Sequence, residues 1–338
     1  MTTPITISYK VVTGICMLFL LMLPGCDPAG TNTATTSGGP EKPASSKKSP
    51  VLPVTVGSMK ELGQYYDSIG FNVGANPDIF NAVPRLRFTH VPRNWEEEPS
   101  IPLKQSVFFR TMATMALEVN EEILQQRRKL LSIDMQQPLS ADDQEWLQQM
   151  MMLYKVSWQA PPYAPEQLAE LFLRVDIIPP SLTLVQAAIE SAWGSSRFAQ
   201  EGNALFGQWT TPGQGIKAEK SDAWLATFAN PHDSVAAYCL NLNTHPSYSV
   251  FRVTRAEMRR EGRPLNGIEL AMHLEKYSAK GVEYTSLVQN MITRHGLEIA
   301  DTARLADGPE ILIKPIDRPA PEPPRFPEEM TSSPQDQA

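Results

Sequence analysis

Apolar side chains recur at near-helical spacing from residue 104 to residue 133. Val107, Phe108, Met112, Met115, Val119, Ile123 and Leu130 follow one stripe, with Glu121, Arg127 and Arg128 on other faces. The pattern predicts a long amphipathic helix that is over by Pro138. Ser140 as cap, with Asp143 three residues on, opens a second helix to about Ser157, and Pro165 takes the first position of a third. Met150, Met151 and Met152 read as core filler within the second. Pro179-Pro180-Ser181 stops one element and caps the next, a helix from Leu182 to about Ala199. A glycine-dotted loop follows from Gly202 to Gly215. Ala223 to Phe228 alternates enough for a short strand, paired with residues near Ile216 to Glu219. Asn230-Pro231-His232-Asp233 reads as cap, first-turn proline and capping acid of another helix. Tyr248 to Glu261, Ile268 to Tyr277 and Tyr284 to Arg294 predict three more. The expected class is mainly α (α+β), a helical lobe with a small β-hairpin lobe. Residues 57 to 103, interrupted by Pro77, Pro84, Pro92, Pro99 and Pro102, read as irregular wrapping.

Composition changes the picture at the two ends. Hydrophobic residues are 42% of 338 and charged residues 20%, enough for a substantial core, but 30 prolines are nearly twice the background of about 5%. The excess sits in stretches poor in large apolar groups: residues 27 to 56 read as a tether, and residues 309 to 338 as a second loose segment. A net charge of −7 argues against nucleic acid as a partner, which needs a basic footprint.

Lys10, the apolar run Val11 to Leu23 and Leu23-Pro24-Gly25-Cys26 read as a secretory leader, because the run is shorter than the roughly 18 residues a spanning helix wants. An uncleaved anchor is the alternative. The stretch resembles the bacterial lipoprotein box, which implies that Cys26 carries lipid and that the membrane is a partner through that anchor. Asp27 after the lipidated cysteine resembles an inner-membrane retention signal, so the expected place is the periplasmic face of the inner membrane, with the outer membrane's periplasmic face as alternative. Cys16 would leave with the leader and Cys239 stands alone, so there is no disulfide framework. Cys239 reads as a small buried apolar residue; His232 and His245 lie near it in sequence, which keeps a Cys-His pair as the other reading.

The chemistry concentrates in Leu184-Val-Gln-Ala-Ala-Ile-Glu-Ser-Ala-Trp-Gly-Ser-Ser-Arg197 and Gly202-Asn-Ala-Leu-Phe-Gly-Gln-Trp209. Leu182, Val185 and Ile189 form a buried stripe, and Gln186, Glu190 and Trp193 lie along a neighbouring face. Small residues at Ala187, Ala188, Ser191 and Ala192 let other elements approach. A carboxyl at Glu190 would then lose water, which raises its pKa and makes it a proton donor near neutral pH. The alternative for a glutamate in an alanine-rich helix is a solvated surface residue.

These two segments resemble the catalytic-helix signature of the bacterial glucosaminidases of glycoside hydrolase family 73, and within it the Bax-type branch. The matching positions are Gln186 to Ala188, Glu190 to Gly194, Ser196 to Ala199, Asn203, and Leu205 to Trp209; Asn241 to Arg252 resembles the same branch. The resemblance implies a lysozyme-like fold and peptidoglycan glycan strands as substrate. It makes Glu190 the general acid on the bond between N-acetylglucosamine and N-acetylmuramic acid. Trp193 and Trp209 would line the sugar groove, Trp193 serving equally well as core. Asn203 and Phe206 would bind or shape the loop below it. For a second catalytic group the family pattern points to an acid on the β lobe, here Glu219 with Asp222 nearby, or to a tyrosine before the last helix. Tyr277 is the better match in Tyr277-Ser-Ala-Lys-Gly-Val-Glu-Tyr284, and Tyr284 falls on the substrate side. Without a second carboxylate, the substrate's own acetamido group would serve.

The five histidines lack paired metal spacing and there is no glycine-rich phosphate loop, so neither metal nor cofactor is expected. The expected organisation is a leader at 1–25, a tether at 26–56, a helical N-terminal region at 57–160 wrapping the catalytic domain, a glucosaminidase domain at 161–303 and a loose tail at 304–338. Lytic transglycosylation, which needs one carboxyl, and an inactive wall-binding scaffold are the competing functions.

Overall fold

The computed structural model describes residues 52–71, 82–92, 95–134, 138–157, 164–219 and 221–316. The expected leader, Cys26 and most of the expected tether lie outside them. No helix among the described residues is long and apolar enough to cross a membrane.

The longest element, α2 (Ile101–Asp134), has 34 residues, about 50 Å at 1.5 Å per residue. From Val107 to Asn120 every side of it is buried, so the single stripe expected from the sequence describes only its C-terminal half. The polar residues inside that stretch find partners instead of water. Arg110 donates to Asp67 at 2.6 Å and to the Phe71 carbonyl at 2.9 Å, and the Asn120 amide bonds the Ile178 backbone in both directions at 2.8 and 3.2 Å. Around α2 pack α1 (Met59–Ser68), α5 (Pro180–Glu190) and α7 (Pro231–Thr244). The remaining helices are α3 (Ala141–Leu153), α4 (Pro165–Arg174), α6 (Arg197–Gly202), α8 (Ser249–Arg260), α9 (Gly267–Ala271) and α10 (Val282–Arg294). Caps act where the sequence placed them: Ser140 accepts the Asp143 N–H at 3.1 Å, and Asn230 accepts the Asp233 N–H at 3.0 Å.

Among the described residues two three-stranded sheets complete the body. The strands β3 (Trp209–Thr210), β4 (Gly215–Lys217) and β5 (Trp224–Ala226) form an antiparallel lobe in the order β3-β5-β4, with Lys217 opposite Trp224. This is the expected hairpin with one more strand. The mainly helical α+β class is as read from the sequence.

The other sheet corrects three expectations. It is wholly parallel, and β6 (Ile311–Pro315) lies between β1 (Leu52–Val56) and β2 (Leu86–Phe88). Residues 311 to 315, assigned to the loose tail, thus form a central strand with Ile313 fully buried. Residues 52 to 56, assigned to the tether, form its neighbour. Residues 57 to 103, read as irregular, contain α1, β2 and a 3-10 turn at Trp95–Glu97. Each of these short segments gains its order from partners far away in sequence, and flanking prolines mask their weak local alternation.

The helix expected from Leu182 to Ala199 is broken directly after Glu190. Ala192, Trp193 and Gly194 all have left-handed backbones, with φ of 51°, 60° and 77°. Ser191 holds the reversal, donating to the Ala187 carbonyl at 2.6 Å and accepting the Gly194 N–H at 2.8 Å. A Cβ on Gly194 would lie 2.4 Å from the Trp95 ring, so only glycine lets the N-terminal region seat against this turn.

Candidate active site

The break puts Glu190 on the last turn of α5, facing a cleft of about 610 Å³ between the antiparallel lobe and the helical body. Gln208, Trp209 and Phe228 line it from the lobe, Ala237 and Asn241 from α7, and His245, Tyr248 and Tyr277 from the turns that follow α7 and α9. Glu190 is the only carboxylate among the described residues lining it.

Glu190 is half-buried, and burial raises its pKa above the ordinary glutamate value, opposed by a hydrogen bond from Tyr284. Its place at a helix C-terminus, where the backbone dipole is negative, disfavours the anion as well. The Tyr284 hydroxyl donates to Glu190 Oε1 at 2.8 Å. Gln186, one turn before Glu190 on α5, donates to the Tyr284 hydroxyl at 3.0 Å, and the Tyr238 hydroxyl on α7 donates to Gln186 Oε1 at 2.6 Å. All three residues are at most 2% exposed, so water does not compete for these bonds. Tyr277 stacks on Tyr284, with centroids 5.6 Å apart and planes at 10°, and Phe206 stacks on Tyr238 at 4.1 Å and 12°. Burial holds the phenols of Tyr238, Tyr277 and Tyr284 well above their ordinary value, so they remain protonated donors.

The structure therefore brings Glu190, Tyr277, Phe206 and Trp209 to one cleft. Trp209 stands 76% exposed on β3, an open aromatic face on the rim. Tyr284, expected on the substrate side, sits behind Glu190 as its hydrogen-bond donor.

Three expected site residues go elsewhere. Glu219, in the turn after β4, has its side chain 74% exposed and pairs with Arg197 at 3.4 Å; it does not line the cleft. Asp222 pairs with Lys217 at 3.2 Å. Trp193 packs edge-on against Phe108, Phe109 and His295 at 5.7, 5.0 and 5.9 Å, so of its two readings the core one describes its position. The left-handed turn at residues 192 to 194 aims it away from the cleft. Asn203 spends its amide on backbone, accepting the Val91 N–H at 2.8 Å and donating to the Phe228 carbonyl at 3.0 Å. It clamps the loop bearing Phe206 and Trp209.

Tyr238, Asn241, His245 and Gln208 were not singled out as site residues. The signal for part of this wall is the repeat Ala237, Asn241, His245, one residue per turn along α7 and its end. Cys239 faces the core, and burial pushes its thiol up to about 12, so it is the small buried residue and not a nucleophile. Among the described residues no cluster of three or more His, Cys, Asp or Glu is placed to hold a metal ion.

The family described as mannosyl-glycoprotein endo-beta-N-acetylglucosaminidase matches residues 166–297. Protein bax of Escherichia coli (strain K12) is 34% identical over 188 residues, which cover 56% of this chain and 68% of that protein. The chain belongs to the glucosaminidase family. The matched stretch contains every residue that lines the cleft, so the cleft is the glucosaminidase domain's own and glycosidase chemistry is the coarse activity that membership carries. Helix α2, which packs against α5, lies outside the matched residues. The catalytic domain of the autolysin Auto from Listeria monocytogenes aligns with 61% of this chain and 92% of its own, at 16% identity and a TM-score of 0.34, a likeness too loose to bear on the fold or the site.

Proposed function

We propose that this glucosaminidase is a peptidoglycan hydrolase, an endo-β-N-acetylglucosaminidase that cleaves between N-acetylglucosamine and N-acetylmuramic acid with Glu190 as general acid. The observation that carries the reading is one desolvated carboxyl facing an open cleft, with its proton affinity raised by burial. A cleft open along the surface suits a polymer that enters sideways, and the Trp209 face suits the apolar edge of a sugar ring.

Protonated Glu190 gives its proton to the glycosidic oxygen as the C1–O bond breaks. Because no second carboxylate among the described residues lines the cleft, the acetamido oxygen of the N-acetylglucosamine closes on C1. Water then opens that ring, its proton returning to Glu190. The same single acid favours a second reading, lytic transglycosylation, in which the bond broken is at C1 of N-acetylmuramic acid and that sugar's own 6-hydroxyl closes on C1 in place of water, its proton passing to Glu190.

Purified sacculi digested by the chain decide between them. Reducing N-acetylglucosamine ends are expected; 1,6-anhydro-muramic ends would assign the transglycosylase. Glu190→Gln should lower turnover by two orders of magnitude or more while the protein still folds, and equal turnover would overturn the proposal. Lipid at Cys26 would hold the domain on the periplasmic face of a membrane. Labelled palmitate should enter the wild type and not Cys26→Ala, and equal labelling would exclude that anchor.

A further inference from the structure

The bonds behind Glu190 run in one direction. Tyr238 donates to Gln186 Oε1, Gln186 Nε2 donates to Tyr284, and Tyr284 donates to Glu190. A carboxamide has one accepting and one donating end, and a phenol has a single proton. Since the Tyr238 proton occupies Gln186 Oε1, the end of the amide facing Tyr284 must be the donor. Among the described residues Tyr284 then has no acceptor for its proton except the carboxyl. We propose that Tyr238 and Gln186 are positioning residues: together they set the direction of a buried hydrogen-bond chain so that the Tyr284 proton is held on Glu190. The proposal rests on the reading of Glu190 as the general acid and concerns residues that touch no substrate.

The consequence follows from the groups around Glu190. Tyr284 from α10, Tyr277 from the turn after α9, and Tyr248 from the turn after α7 all feel its charge, and each is a phenol kept neutral by burial. His245 lines the same cleft. Burial pushes Glu190 towards the protonated form and the Tyr284 bond pulls it back. Remove the Tyr238 hydroxyl, and the Gln186 amide is free to turn over and accept the Tyr284 proton itself. Glu190 then loses the one bond that favours its anion. A general acid that cannot release its proton readily is a poor base in the second half of the reaction, so the chain keeps Glu190 able to serve in both directions.

The test uses the full chain labelled with ¹³C-carboxyl glutamate, with the Glu190 signal assigned by its loss in Glu190→Gln. Tyr238→Phe should move the Glu190 midpoint upward by about one pH unit, and the alkaline limb of kcat on sacculi should move with it. Tyr284→Phe should give a shift at least as large, and adding Tyr238→Phe to it should give nothing more. An unmoved midpoint in Tyr238→Phe, or shifts that simply add in the double variant, would overturn the proposal. Should Tyr238→Phe not fold, neutron diffraction of the wild type decides: the Gln186 amide deuterons should face Tyr284, and a reversed amide refutes the chain. Wild-type protein that leaves sacculi intact would count against the hydrolase reading alone, because the carboxyl titration needs no substrate.

Discussion

Asp176, in the turn before α5, and Glu190, at the other end of that helix, are both withdrawn from water, and their neighbours send them to opposite states. Asp176 is 2% exposed. It faces Arg259 at 2.9 Å, Arg127 at 3.8 Å and the fully buried Arg255 at 4.0 Å. Burial works to raise its pKa, but Arg255, Arg259 and Arg127 outweigh it and the carboxyl ends below its ordinary value. Arg255 in turn is pushed down to about 10 by burial, and it also donates to the carbonyls of Leu173, Asp176 and Ile177. Glu190 meets the Tyr284 phenol in place of guanidinium groups. Charged partners turn a buried carboxylate into a permanent anion that ties elements together; neutral donors leave it able to exchange its proton. The sign of the neighbours, more than burial itself, separates the structural acid from the chemical one.

The largest way to break the comparison is Asp176→Ala, which leaves Arg255 buried without its counter-ion and should cost about 3–5 kcal/mol in denaturant unfolding. A loss under about 1 kcal/mol would show that Arg255 needs only the carbonyls. Its pH signature has a definite sign. A carboxyl whose folded pKa is depressed contributes stability above its unfolded value of about 3.9, and that contribution disappears as pH falls through the folded value. The acid limb of wild-type stability should therefore flatten in Asp176→Asn.

Glu190 has the reverse linkage. Its folded pKa is raised, so as pH climbs from the unfolded value through the folded one, stability falls. Glu190→Gln should remove that decline while activity is lost, so the variant gains stability on the wild type as the solution becomes less acidic. A stability difference that does not change with pH would contradict the neutral-donor account of this site. The smallest effect tests the cleft and not the carboxyl. Trp209→Ala removes an exposed ring, so stability should stay within about 0.5 kcal/mol, while kcat/KM on glycan should fall about tenfold, the scale of one stacked aromatic. Unchanged kinetics would remove Trp209 from the sugar groove.

Much of the helical body is legible in the sequence, because caps and prolines are local signals. Ser140, Asn230 and Pro165 each start the helix they announced. Glu190 was legible through its small neighbours and its motif. The second catalytic group was not. Glu219 and Glu190 belong to one motif-bearing region, yet the turn after β4 carries Glu219 out to Arg197, and nothing in residue type distinguishes an acid facing a cleft from one facing water. The position of Trp193 is hidden for a related reason. Extrapolating the helix of Glu190 past Ser191 keeps it on the same face, and three consecutive left-handed residues end that face. The strands of the N-terminal region are not legible locally because they pair with β6, whose residues stand at the far end of the chain.

What the sequence determined alone is short-range: where helices start, where the hairpin turns, and which helix carries the acid. Those features depend on side chains within a turn or two of each other. The tertiary structure alone decided what that acid faces. The bond from Tyr238 to Gln186 spans 52 residues, that from Gln186 to Tyr284 spans 98, and that from Tyr284 to Glu190 spans 94. Proton affinity at Glu190 depends on burial and on partners delivered by α7 and α10. Those partners exist only once distant segments have packed against α5, with α2 behind it, and water has been excluded between them.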